Sequence, residues 1–97
     1  MSAEAHERTG AGYRREALLH AQAKTWEAVN AIGRGVRPGM RESEAKALAG
    51  EVLASLGYQR RWHPDIVRVG PNTCLMWKER SPVDAVLGEN DLFFVDL

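Results

Sequence analysis

Asn90-Asp91-Leu92-Phe93-Phe94-Val95-Asp96-Leu97 decides how the rest of the chain is read. The pair Asn90-Asp91 is a turn former, and the aromatic and β-branched run after it has the composition of a buried strand. One carboxylate, Asp96, falls inside that run. Side chains alternate across a strand, so Leu92, Phe94 and Asp96 share one face and Phe93, Val95 and Leu97 the other. A carboxylate among apolar neighbours is costly unless a cation or hydrogen-bond donor meets it. Two readings follow: Asp96 is the edge of a functional site, or it lies in water beside the chain end.

Working outward, 97 residues allow a single domain with a modest core. Thirteen basic and thirteen acidic residues cancel, which argues against a general nucleic-acid or anionic-membrane surface. Arg60-Arg61-Trp62-His63 together with Arg68 forms a small basic patch, read as a solvated rim. The single Cys74 excludes an internal disulfide, fits a reducing cytosol and has no metal-ligand spacing around it. The polar start of the chain is no secretory signal, and no apolar run reaches the roughly 20 residues a bilayer needs. The expectation is a soluble, cytoplasmic protein.

Residues 1–12 read as a loose N-terminal arm and residues 13–97 as the folded part. From about Tyr13, Leu18, Ala21, Thr25, Val29, Ile32 and Val36 recur at steps of three and four and draw one stripe down a helix. Pro38-Gly39 stops it. A second helix spans about 42–56, with Ala45, Leu48, Ala49, Val52, Leu53 and Leu56 as its apolar face. Glu42 and Glu44 suit its first turn, and Gly57 its C-terminal cap. Two neighbouring helices are compatible with a helix-turn-helix, but the second carries only Lys46 as a base, which argues against DNA. Ile66-Val67-Arg68-Val69 predicts a short strand closed by the turn Gly70-Pro71-Asn72. Residues 73–77 predict a further short strand, 78–84 a polar loop, and 92–97 the last strand. Two helices followed by short strands predict an α+β fold, with the helices packed on one face of a small, mostly antiparallel sheet.

Taken in order, Val36-Arg37-Pro38-Gly39-Met40, Leu56-Gly57-Tyr58, Ile66-Val67-Arg68-Val69-Gly70-Pro71-Asn72 and Leu87-Gly88-Glu89-Asn90-Asp91 leading into the final strand resemble the first half of the "pita-bread" metallopeptidases. That group contains the methionine aminopeptidases, the Xaa-Pro aminopeptidases and dipeptidases, and creatinase. The likeness spans about residues 14–97 and is nearest to small Xaa-Pro peptidase-like members, where a segment like Trp62-His63-Pro64 also occurs.

The resemblance implies a domain of two αβ halves with two divalent ions (Mn, Co or Zn) between them, held by two Asp, one His and two Glu. Asp96 is the one residue that matches this metal set. Active members also carry a substrate-side His at the slot of Trp77, which cannot shuttle a proton. His63 lies upstream of that slot and stands as a candidate cleft residue or as a packing or surface histidine. Residues 13–97 are therefore expected to be a truncated N-terminal half of a metallopeptidase-like domain. No cofactor is expected for the isolated chain, which is expected to be inactive, with a peptide substrate only if a second half completes it. The alternative is a non-catalytic module that forms a homodimer through the exposed edge of its last strand.

Overall fold

The structure, a computed structural model of the chain, describes residues 10–58 and 63–97. Helix α1 covers Arg15–Gly35 and helix α2 covers Glu42–Ser55. Strand β1 (Ile66–Val69), a 3-10 helix (Gly70–Cys74) and strand β2 (Phe93–Asp96) follow. Two helices on a two-stranded antiparallel sheet make an α+β unit, as expected from the sequence. Most of the predicted arm, and Arg60, Arg61 and Trp62 of the basic patch, lie outside the described residues. Among the described residues no helix is long and apolar enough to cross a membrane.

Helix α1 begins two residues later than the pattern suggests, and only its second half is packed. Ala28, Ile32 and Val36 are buried, whereas Leu18, Ala21 and Thr25 of the predicted stripe are exposed. The reason is length. Twenty-one residues span about 32 Å and the fourteen of α2 about 21 Å, so the first turns of α1 overhang the core. Small residues let the helices approach: a Cβ on Gly35 would sit 2.7 Å from Leu48 Cδ2. Ala45, Ala49 and Leu53 form the buried side of α2, within the face read from the sequence.

The start of α2 is capped from a distance. Glu44 Oε1 accepts the Arg41 N–H at 3.0 Å, one half of a capping box. The Arg41 side chain has no acceptor to supply the other half. Asp84 replaces it: Oδ1 accepts the Ser43 N–H at 2.8 Å and Oδ2 the Ser43 hydroxyl at 2.7 Å. Next to it the Glu42 N–H donates to the Ala85 carbonyl, and Gly39 and Leu87 extend the same ladder. The loop before β2 is thus laid along the turn between the helices.

Strands β1 and β2 pair with Ile66 opposite Asp96, Val67 opposite Val95, Arg68 opposite Phe94 and Val69 opposite Phe93. Val67 and Val69 are buried against the helices, and Phe93, Val95 and Leu97 pack on the same core. The alternation along the last strand holds, but the core side belongs to Phe93, Val95 and Leu97. Leu92, Phe94 and Asp96 are on the outward side, with Leu92 and Phe94 among the exposed apolar residues.

The strand predicted over 73–77 is absent. Pro71 near the start of the 3-10 helix has no N–H for a ladder. The Thr73 hydroxyl donates to the Gly70 carbonyl at 2.7 Å and the Leu75 N–H to Asn72. Gly70 has φ 58°, a conformation that strains any L side chain, and a Cβ there would also press on Asp91 Oδ2 at 3.0 Å.

Hydrogen bonds from Ser43 hold the Asp84 carboxyl below its ordinary value of 3.8, aided by the charge of Arg41. A lowered folded pKa gives stability that is complete above the ordinary value and lost as pH falls through the folded one. Thermal unfolding from pH 6 down to pH 2 should therefore show a smaller acid-induced loss of Tm in Asp84→Ala than in the parent chain, from a lower starting Tm at pH 6.

Candidate functional site

The two residues singled out from the sequence meet in space. Asp96 closes β2 on the outward face of the sheet, and the chain entering β1 through Pro64 and Asp65 brings His63 across to it. His63 Nε2 lies 3.3 Å from Asp96 Oδ1. The other ring nitrogen, Nδ1, is 2.7 Å from the Pro64 carbonyl oxygen, which can only accept. Both nitrogens thus face oxygen atoms, one of a carboxylate and one of a backbone carbonyl. The His63 side chain is 22% exposed and that of Asp96 53%, so water screens the pair.

A second polar cluster, unforeseen in the sequence, sits behind β1. Glu42 is buried at 8% exposure, and its Oε1 accepts the Val69 N–H at 2.9 Å and Asn72 Nδ2 at 3.2 Å. Asn72 also donates to the Val83 carbonyl at 2.9 Å. Glu42 reads in sequence as a dipole-complementing residue and Asn72 as a turn residue, and nothing local says that they join. Arg68 corrects another expectation. Far from being a solvated rim, it is 7% exposed, donating through Nη1 to the Ser81 hydroxyl at 2.8 Å and through Nη2 to the Glu79 carbonyl. The loop 76–81 folds over it.

Trp77, at the substrate-side slot suggested by the resemblance, is 65% exposed, with Lys78 Nζ 5.2 Å from its ring centroid. It has no proton to exchange near neutral pH. Cys74 is an exposed free thiol.

A sequence model of Metallopeptidase family M24 matches residues 16–97, covering both helices and both strands. The chain belongs to that family. Comparison with curated proteins and with solved structures gives no match. Members of family M24 generally use divalent metal ions. Two such ions need an oxygen-rich cage of about six donors each, with bridging carboxylates. Among the described residues no group of three or more His, Cys, Asp and Glu stands at metal-binding separation. Asp96 brings one carboxylate and His63 one imidazole, already turned toward each other. The described residues do not by themselves fit the paired ions of an M24 centre.

A half-exposed ion pair contributes about 0–1 kcal/mol. A double-mutant cycle of His63→Ala and Asp96→Ala, read by urea unfolding, should therefore give a coupling below about 1 kcal/mol that shrinks further in roughly 0.5 M salt.

Proposed function

We propose that this chain supplies one side of an M24 hydrolase centre of the Xaa-Pro peptidase type and does not hydrolyse peptides on its own. What supports the reading is the place of Asp96 at the end of a strand, on the outward face, where the resemblance puts the family's first metal-ligating aspartate. His63 beside it is a cleft residue that holds the carboxylate oriented, and Trp77 replaces the expected substrate-side acid–base group. Hydrolysis by paired cations depends on bridged ions that lower the pKa of a shared water and stabilise the developing oxyanion. One carboxylate and one imidazole supply neither a bridge nor a second ion site. The rest of the donors would come from a further polypeptide segment with Asp, His and two Glu.

Calorimetric titration of the 97-residue chain with Mn²⁺ or Co²⁺ tests this. The expected result is weak binding of at most one ion, lost in Asp96→Ala, with no cleavage of an Xaa-Pro dipeptide. Cleavage should appear only when a complementary second half is supplied, and should vanish with Asp96→Ala. Two ions held at stoichiometric occupancy by the chain alone would overturn the proposal.

A second reading, a non-catalytic homodimer, is favoured by one feature. In the two-stranded sheet of the described residues, β2 pairs on one side only, and Leu92 and Phe94 on its outward side are exposed. Light scattering across a concentration series should give a monomer mass under the first reading. A dimer that Phe94→Lys dissociates would support the second.

A further inference from the structure

Among the described residues the Ser and Thr hydroxyls fall into two kinds. Thr25 donates to the Ala21 carbonyl, Ser43 to Asp84, Ser55 to the Val52 carbonyl and Thr73 to the Gly70 carbonyl. Ser81 differs, because its Oγ accepts from a cation, Arg68 Nη1, at 2.8 Å. We propose that Ser81 is a phosphorylation site whose phosphate ties the loop 76–81 down onto Arg68.

The first support is the electrostatics at the hydroxyl. Arg68 is 7% exposed, yet both groups it bonds, the Ser81 hydroxyl and the Glu79 carbonyl, are neutral. Burying a guanidinium without a countercharge is costly, and a dianion fixed on Ser81 would offset that cost. Two of its five N–H groups are used, and the planar fork suits the oxygens of a phosphate. The other described serines lack this complement. A phosphate on Ser43 would face the Asp84 carboxylate, and one on Ser55 the negative end of α2.

The second support is access. Residues 76–80 and Pro82 are exposed, and residues 79–82 lie in neither helix nor strand. An enzyme can draw them out without opening the core. The Arg68 bonds to Ser81 and Glu79 hold this part of the loop to the sheet. Lys78 and Arg80 precede the hydroxyl, and Ser81 is the only serine of the chain followed by a proline. Cations on one side and a fixed backbone angle on the other are features a serine kinase can read.

In the reaction Ser81 Oγ attacks the terminal phosphorus of a nucleoside triphosphate held by the kinase. The new O–P bond forms as the bond to the nucleoside diphosphate breaks, and the hydroxyl proton passes to the kinase's base. A neutral contact to Arg68 becomes a charge-assisted one, so the loop, with Trp77 on it, is held more firmly against β1. The site uses neither Asp96 nor a metal ion and stands whether or not the chain takes part in hydrolysis.

The test treats the whole folded chain with a proline-directed serine kinase and magnesium ATP and locates the phosphate by mass spectrometry. Modification is expected at Ser81 and is expected to disappear in Ser81→Ala. Trypsin cleavage after Lys78 should then slow about tenfold, the worth of one charge-assisted contact, and the slowing should be absent in phosphorylated Arg68→Gln. By ³¹P NMR the second pKa of the phosphate, ordinarily about 6, should be lower in the folded chain than in the same chain in urea. Lys78 and Arg80 stay beside Ser81 in both states, so that difference reads the folded contact even should Arg68→Gln fail to fold. A folded chain left unmodified at Ser81, unchanged cleavage after Lys78, or equal phosphate pKa values in the two states would each overturn the proposal.

Discussion

The fold depends on one buried carboxylate. Glu42 stands in the first turn of α2, where the helix dipole favours an acid, and it reaches across to the backbone of β1 at Val69 and to Asn72. Asn72 passes the connection on to Val83, one residue before Asp84, whose carboxylate caps the same helix. A closed circuit results: helix start, strand end, 3-10 helix and the loop before β2 each satisfy groups of the next. A buried acid is tolerable only when its lone pairs are met, and here those partners also fix where the strand ends. An apolar residue at position 42 would leave the Val69 N–H without its acceptor and the Asn72 amide with the Val83 carbonyl alone.

That circuit sets what the outward face presents. With β1 held at Val69, the register of β2 follows from the apolar residues it must bury, Phe93, Val95 and Leu97. Asp96 is then outward because its neighbours are inward. A slip of one residue would bury the acid and expose three apolar side chains, so the core that stabilises the sheet also aims the carboxylate. His63 meets it because the chain enters β1 at Ile66, the residue paired with Asp96.

Much of the architecture was legible in the sequence, and the misses share a cause. The helix α2, the strand β1 and the last strand are periodic or β-rich segments bounded by Gly and Pro, and periodicity reports them directly. Membership of a metallopeptidase family was readable from the order of several short segments. The stripe through Leu18, Ala21 and Thr25 misled because periodicity shows which side of a helix is apolar, not how far along a partner extends. Residues 73–77 looked like a strand from composition, but Gly70 and Pro71 turn the backbone into a 3-10 helix first. The burial of Arg68 was hidden because it depends on a loop, 76–81, folding back by eleven to thirteen residues. Glu42 with Asn72 was invisible for the same reason: thirty residues separate the two.

The overhanging part of α1 divides that helix into two kinds of structure. Its second half is bound to the core through Ala28 and Ile32, and opens only when the domain opens. Apart from Lys24, whose Nζ lies 5.3 Å from the Tyr58 ring centroid, its first half rests on backbone hydrogen bonds and intrinsic propensity, and isolated helices of that length are marginal in water. Leu18, Leu19 and Trp26 add apolar surface there without burying it. One continuous rod therefore has a firm end and a fraying end, and the local melting of the latter leaves the sheet and its acid undisturbed.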